Sequence, residues 1–317
     1  MKKNRLSFFI LLSILVCILA YIFLVIDPLQ LNLIDFGQTS ASGDASSDKV
    51  ADINSGILRS DFEGQAPTYE SAATTAVLDY VDKPMVLDRV QALERILSLS
   101  ATYPEMMTIY NHQEEYDDTI LIALANNPEM LEYALHYNDE NQTVTAFYTE
   151  EERNSDYPLF LQWDYRWGYM EYGDDTVGTV GCGPSTLAMA IYYLTRNEEV
   201  TPDVIAQYSM EHRYYVNNIG TSWLLFDHYP TLYGLTVDHI YRHEPYFKAE
   251  LDKGNILICS VKAGEFTYGG HFIVIYGYDE NGFKINDPKC AYRSTLTWPF
   301  EQFRADIRRT WSIGKPE

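Results

Sequence analysis

The longest run of hydrophobic positions lies at the amino terminus. Residues 6–26 form a stretch of 21 residues without a charge, and Lys2, Lys3 and Arg5 precede it. About 20 apolar residues suffice for a helix to cross a bilayer, and cationic residues mark its cytoplasmic side. A cleaved signal peptide is the alternative, but its apolar core usually has about 7 to 15 residues. The pattern therefore predicts a cytoplasmic stub and an uncleaved membrane anchor over 1–27, with the rest of the chain extracellular.

The hydrophobic pattern disappears after the anchor and returns with a helical period. The stretch 28–66 contains a run rich in Ser, Ala, Gly and Thr, a composition typical of flexible linkers, so it is predicted to be a spacer. Further on, Val86, Val90, Leu93 and Leu97 recur at intervals of four, three and four. This spacing predicts a helix with these residues on one face.

A small helical domain is predicted over 67–152. Asn127 precedes Pro128, so Asn127 can cap a helix while Pro128 occupies its first turn, where a missing N–H costs nothing. Residues 104–152 contain 12 Asp and Glu but no Lys or Arg. We therefore predict an acidic helical domain with a solvated surface.

The remaining residues, 153–317, form a sequence of aromatic and β-branched residues interrupted by glycines, which predicts a second domain. A helix is predicted over 184–194, after a glycine-rich run. Strands are predicted over 256–261, 271–278 and 283–286, and Asn281-Gly282 favours a tight hairpin between the last two. The order of one helix followed by an antiparallel sheet indicates the α+β class.

Composition and charge restrict the possible partners. The chain has 317 residues, 46% of them hydrophobic, and a formal net charge of −22. Nucleic acid and anionic lipid headgroups are therefore poor partners for the acidic part of the chain. Four cysteines are too few for a disulfide framework. Cys259 and Cys290 are candidates for a single bridge, but Cys259 lies in a predicted buried strand, where a free cysteine is ordinary.

Cys182 is the candidate nucleophile because it stands where a helix is predicted to begin. It follows Gly178-Thr179-Val180-Gly181 and precedes Gly183-Pro184. A free thiol has a pKa near 8.5 and is mostly protonated at neutral pH. The positive end of a helix stabilises a thiolate, and its exposed N–H groups can bind a developing oxyanion.

A histidine and an acid follow in the order that nucleophilic catalysis needs. His271 begins a predicted strand 89 residues after Cys182, and Asp287 ends the next one. His271 would deprotonate the thiol and later protonate the leaving amine, and Asp287 would fix the tautomer of His271. Asn286 is the alternative orienting residue, since an amide oxygen accepts the same hydrogen bond.

No cofactor and no metal site are predicted. His239 and His243 are four residues apart, but a zinc hydrolase of that spacing has a Glu between its histidines and places them on a helix. Tyr241, Arg242 and the nearby Pro245 do not fit that pattern.

Five segments together resemble papain-like cysteine peptidase family 39, which includes bacteriocin-processing peptidases and a membrane-anchored, exported bacterial branch. They are 161–168, Gly-Cys-Gly-Pro-Ser at 181–185, 220–223, Gly-His-Phe-Ile-Val at 270–274, and Ile-Asn-Asp-Pro at 285–288. The resemblance implies an α+β fold in which the helix carrying the nucleophile packs on an antiparallel sheet. It also implies Cys182 as nucleophile, His271 as base, Asp287 as orienting residue and Gln162 as oxyanion donor.

The leading hypothesis is a membrane-anchored extracellular cysteine peptidase that cleaves peptides through a thioester. Two alternatives remain open: a cell-wall peptide amidase with the same chemistry, and a papain-like domain that is retained for binding. Loss of Cys182 or His271 would favour binding, but both residues are present. Leader peptides ending in double glycine are not predicted as substrates. Their peptidases are cytoplasmic parts of transporters, whereas this chain has one predicted span and no nucleotide-binding loop.

Overall fold

The computed structural model describes residues 80–316 except 140, 141, 143 and 218. The predicted anchor over 1–27 and spacer over 28–66 lie outside the described residues, as does the beginning of the predicted helical domain. Among the residues that are described, no helix is both long and apolar enough to cross a membrane. The described residues all belong to one compact unit.

The first part of the described chain is helical, as predicted. Its α-helices are Arg89–Leu99, Met106–Asn111, Asp118–Asn126, Leu131–Leu135 and Glu150–Asn154, and 3₁₀ turns lie at Gln113–Glu115 and Pro128–Met130. The side chain of Asn127 accepts the N–H of Glu129 at 3.1 Å. The predicted cap is therefore confirmed, although it begins a 3₁₀ turn before the next helix.

The apolar face predicted for this helix, Arg89–Leu99, is not the face that the structure buries. Val86 precedes the helix, and Val90 and Leu97 are exposed, whereas Ala92 and Ile96 are fully buried. The small Ala92 allows the helix Asp118–Asn126 to approach closely, so packing rather than side-chain size decides which face is covered.

The second part combines helices with ten strands among the described residues. Its helices are Val177–Val180, Cys182–Thr195, Pro202–Glu211, Trp223–His228, Glu244–Asp252, Ala291–Ser294 and Phe300–Phe303, with 3₁₀ turns at Tyr229–Tyr233 and Arg304–Asp306. Its strands are β1 Glu171–Tyr172, β2 Asp175–Thr176, β3 Tyr215–Val216, β4 Gly220–Thr221, β5 Thr236–His239, β6 Ile256–Val261, β7 His271–Asp279, β8 Gly282–Asn286, β9 Thr297–Trp298 and β10 Ile307–Gly314.

Six of these strands form one antiparallel sheet. Their order is β5-β10-β6-β7-β8-β9. The predicted strands match β6, β7 and β8 closely, and Gly282 has a φ of 141° in the predicted hairpin. Strand β10 was not predicted from the sequence; it lies next to the edge strand β5 and pairs with both β5 and β6. The α+β class with an antiparallel sheet is confirmed.

Both faces of the sheet are covered because side chains alternate along each strand. Ile258 and Val274 belong to the hydrophobic cluster that includes the helix Cys182–Thr195. Their neighbours Cys259 and Ile273 belong to a cluster on the other side, with aromatic residues from Glu244–Asp252 and Phe300–Phe303. The helix that begins at Cys182 is buried from Gly183 to Leu194.

The helical part and the sheet-containing part share a core. A third hydrophobic cluster joins Ala92, Ile96 and Leu124 of the helices to Leu161 and Trp163 of the following segment. The boundary at residue 153 stays a prediction, but the cores on its two sides are continuous.

Candidate active site

Cys182 is the first residue of a 14-residue helix, with Gly181 at the cap position. Its side chain is partly exposed, whereas the following residues are buried. Gly183 is in such close contact with Thr221 that a Cβ atom at this position would overlap the threonine side chain. The sequence Gly-Cys-Gly thus allows the helix to begin against its neighbours and places Cys182 at the positive helix end.

His271 is the first residue of β7, opposite Val261 of β6. It is buried, and its Nε2 lies 2.7 Å from Oδ1 of Asp287. An ionised carboxylate only accepts hydrogen bonds, so Nε2 carries the proton that is donated. Nδ1 makes no hydrogen bond to any atom in the described part of the chain, so it is the ring nitrogen that remains available to Cys182.

The electrostatics of Cys182 and His271 favour an ion pair. Burial raises the pKa of the Cys182 thiol, but the interaction with His271, the charge of Lys289 and the N–H of Phe272 lower it by more, so the pKa falls overall. Burial lowers the pKa of His271, but Asp287 and Cys182 raise it more. A thiolate and an imidazolium are therefore stabilised together.

Asp287 is held ionised by several donors. Oδ1 also accepts the N–H of Lys289 at 2.8 Å, and Oδ2 accepts Nε–H of Arg293 at 2.8 Å. Burial alone would raise the pKa of this carboxyl, but the charges of Arg293 and His271 lower it to about 2. The acid that faces the histidine is thus a fixed anion over the whole neutral range.

The two amide residues take different positions. Gln162 is fully buried, and its Nε2 donates to the carbonyl of Gly178 at 2.8 Å, four residues before Cys182, while its backbone N–H donates to Pro288 at 2.7 Å. Gln162 therefore lies between the segment that precedes Cys182 and the loop that follows Asp287. Asn286 is directed away from the histidine, since its Nδ2 donates to the Tyr193 hydroxyl at 2.8 Å.

The other two described cysteines are not candidate nucleophiles. Cys259 and Cys290 are both buried and free, so the alternative of a bridge between them is not observed. Burial raises the pKa of the Cys259 thiol to about 12 and raises that of Cys290 also. Among the cysteines that the structure describes, Cys182 alone has a lowered pKa.

Comparison with protein families identifies the group to which this fold and site belong. The sequence model of the peptidase C39-like family matches residues 154–313. The chain belongs to the peptidase C39-like family. The match contains Gln162, Cys182, His271 and Asp287, and it ends within β10.

Two solved structures are similar to this C39-like chain. One is the peptidase domain of Streptococcus ComA, a bi-functional ABC transporter involved in a quorum sensing pathway; it is 19% identical, and the alignment covers 50% of this chain and 99% of that domain with a TM-score of 0.37. The other is described as a C39-like peptidase from Bacillus anthracis; it is 14% identical, with 52% and 96% coverage and a TM-score of 0.35. The comparison with curated proteins gives no match.

Two cations beside the C39-like site were missed in the sequence. Arg293 is buried against Asp287, and the charge of Lys289 lowers the pKa of Cys182. Lys289 and Arg293 follow Asp287 by two and six residues, and this spacing was the available sequence signal. Local spacing does not show that an arginine in a polar stretch is buried, so the signal is weak.

Proposed function

We propose that this C39-like chain is a cysteine peptidase that hydrolyses peptide bonds through Cys182, His271 and Asp287. One observation carries the proposal. His271 binds Asp287 through Nε2 at 2.7 Å and keeps Nδ1 for a cysteine whose pKa is lowered at the start of a helix. This arrangement supplies an activated nucleophile, a base and a group that orients the base.

In the proposed reaction, the Cys182 thiolate attacks the carbonyl carbon of the scissile bond and forms a tetrahedral oxyanion. The imidazolium of His271 then gives its proton to the leaving amine as the C–N bond breaks, which leaves a thioester. Neutral His271 next removes a proton from water, the hydroxide attacks the thioester, and the thiolate is released with the acid product. Asp287 stabilises each imidazolium but takes no proton.

The oxyanion requires donors that are already in place. The N–H groups at the start of the helix Cys182–Thr195 are one source. The amide of Gln162 is the other, because an NH₂ group has two hydrogens and only one is donated to Gly178. We therefore propose Gln162 as an oxyanion donor, which is the role that the resemblance of the sequence to peptidase family 39 implies.

For the cellular setting, we propose a single-pass anchor over 1–27 with the peptidase domain outside the cell. Lys2, Lys3 and Arg5 ahead of the uncharged stretch support this orientation. Substrates would then be extracellular peptides or proteins. Addition of a membrane-impermeant biotin reagent to intact cells should label the lysines of the peptidase domain. Labelling only after lysis would contradict this topology.

The catalytic proposal can be tested on the full-length protein in detergent. Iodoacetamide alkylation of Cys182 is followed by mass spectrometry of the peptide that carries it, from pH 5 to 9. We expect fast alkylation at pH 6 in the wild type and slow alkylation in His271→Ala. His239→Ala, which changes a half-exposed histidine paired with Asp227 at the edge strand, is the matched control and should behave as the wild type.

Turnover separates the peptidase from its alternatives. A mixed peptide library should be cleaved by the wild type and remain intact with Cys182→Ala. Cleavage of isolated cell-wall peptides alone would favour the amidase. If Cys182 is alkylated like an unperturbed thiol and no peptide of either kind is cleaved, the binding function is correct instead.

A further inference from the structure

The loop that follows Asp287 is held by side chains from outside the family match. Asn127 donates through Nδ2 to the carbonyl of Lys289 at 2.5 Å. Glu129 accepts the backbone N–H groups of Ala291 and Tyr292, both at 2.8 Å. Asn127 and Glu129 belong to the helical part, whereas the match begins at residue 154. These contacts therefore join two regions about 160 residues apart in sequence.

The contacts of Glu129 lead directly to the catalytic acid. Ala291–Ser294 forms a single helical turn, which is too short to be stable by itself, and Glu129 satisfies N–H groups at its beginning. The same turn carries Arg293, which binds Oδ2 of Asp287. It also carries Ser294, whose hydroxyl accepts the backbone N–H of Asp287 at 2.8 Å. The position of this turn thus fixes the carboxylate that faces His271.

The helical part also contacts the other side of the site. The ring of Tyr133 lies against Gly178, where a Cβ atom would overlap it. The Tyr133 hydroxyl is 2.6 Å from that of Thr176 and donates to the carbonyl of Gly168 at 3.3 Å. Gly178 is the residue whose carbonyl binds Gln162. One short stretch of the chain, 127–133, therefore contacts the supports of both Asp287 and Gln162.

We propose that the side chains of Asn127, Glu129 and Tyr133 form an internal positioning element for the catalytic site, and that Glu129 is a positioning residue acting on Asp287 through the turn Ala291–Ser294. This inference rests on the proposed function, because it assumes that Asp287 orients His271 for chemistry at Cys182. A purely structural role would lower stability without changing the reactivity of the thiolate. The two roles therefore differ in a measurable quantity.

Glu129→Gln is the main test, because it keeps the size of the side chain but turns one acceptor into a donor facing a backbone N–H. In the full-length protein, we expect the alkylation rate of Cys182 at pH 6 to fall roughly tenfold, and its pH midpoint to rise, since the lost contact is a charge-assisted hydrogen bond. With labelled casein as substrate, kcat should fall and KM should change little.

Two variants serve as controls for the effects of charge and stability. Glu132→Gln removes the same charge from the same part of the chain, at a side chain that is 70% exposed, and should leave the alkylation profile unchanged. Phe247→Leu alters the buried cluster on the opposite sheet face. It should lower the melting temperature without moving the alkylation midpoint.

A second positioning variant covers the case in which Glu129→Gln does not fold. Asn127→Ser keeps a capping oxygen for Glu129 but removes the donor to Lys289. We expect it to slow alkylation of Cys182 at pH 6 by a few-fold and to raise the pH midpoint of alkylation, as in Glu129→Gln. A neutral hydrogen bond is weaker than a charge-assisted one, which is why the effect is smaller.

The outcomes separate this inference from the function on which it rests. A slower Cys182 in Glu129→Gln or Asn127→Ser, with both controls unchanged, supports the positioning role. Wild-type kinetics in folded positioning variants, or an equal change in Phe247→Leu, overturns that role and leaves the peptidase standing. An unperturbed thiol in the wild type overturns both proposals.

Discussion

Asp287→Asn tests how strongly the fold depends on the buried ion pair behind His271. Asp287 and Arg293 are both buried, and their side chains meet at 2.8 Å. Burial raises the pKa of the Asp287 carboxyl, but the charges of Arg293 and His271 lower it from 3.8 to about 2. That difference corresponds to about 2 kcal/mol in favour of the ionised form in the folded protein.

The direction of the pH dependence follows from this lowered pKa. The contribution of Asp287 to stability is fully present above its unfolded pKa near 4, and it is lost as the pH falls through about 2. The variant has no carboxyl at this position, so its unfolding free energy should decrease less steeply below pH 4. At pH 7, the variant leaves Arg293 buried without its partner.

Removing one member of a buried pair costs about 3–5 kcal/mol. Glu129 also attracts Arg293, so we expect a loss near the lower limit, about 3 kcal/mol, in the free energy of unfolding at pH 7. Adding Arg293→Met to Asp287→Asn should recover at least about 1 kcal/mol, because the unpaired charge is then removed as well.

Urea unfolding at pH 7, followed by tryptophan fluorescence, measures these differences. Glu301→Gln is the matched control, because it breaks an exposed pair with Arg304 and should cost less than about 0.5 kcal/mol. The reasoning is refuted if Asp287→Asn unfolds at the same urea concentration as the wild type. It is also refuted if Arg293→Met destabilises the variant as much as it destabilises the wild type.

Three further predictions concern the surroundings of the nucleophile. Gln162→Ala should lower kcat about 100-fold with little change in KM, since a donor to the oxyanion acts only in the transition state; an unchanged kcat would exclude this role. Gly183→Ala should abolish turnover and lower the melting temperature because the new methyl group would overlap Thr221, and Gly269→Ala, where nothing lies within 4 Å, is its control. In native protein at pH 7, iodoacetamide should label Cys182 but not Cys259, because burial raises the pKa of the Cys259 thiol to about 12. Equal labelling of the two cysteines in a mass spectrum would contradict the environments assigned to them.

The elements around the site were predictable because their signals are local. Glycine and proline mark the start of the helix at Cys182, and its observed range begins two residues before the predicted one. The strand that begins at His271 has a continuous apolar run, and the strand that Asp287 follows alternates Phe283 and Ile285 with polar residues. Asn281-Gly282 marks the turn between the two strands. Backbone conformation at such positions depends mainly on adjacent residues, so the sequence suffices.

The buried charges could not be predicted in the same way. Glu129 lies in a stretch of acidic residues that was expected to be solvated, yet it is buried. Its contacts with Ala291 and Tyr292 reach across 162 and 163 residues of sequence. Whether a charged side chain can be buried depends on donors supplied by distant parts of the chain, and the spacing of neighbours contains no information about them. The misplaced face of Val90 and Leu97 has the same origin in tertiary packing.

The helices and the sheet-containing part share a core, so the region matched by the family model and the folded unit of this chain have different boundaries. The region of common ancestry begins at residue 154, but Leu161 and Trp163 within it are covered by residues such as Ile96 and Leu124. A fragment cut at the family boundary would expose these side chains to water. The family match marks the extent of sequence similarity, whereas the extent of the folded unit depends on which side chains bury one another.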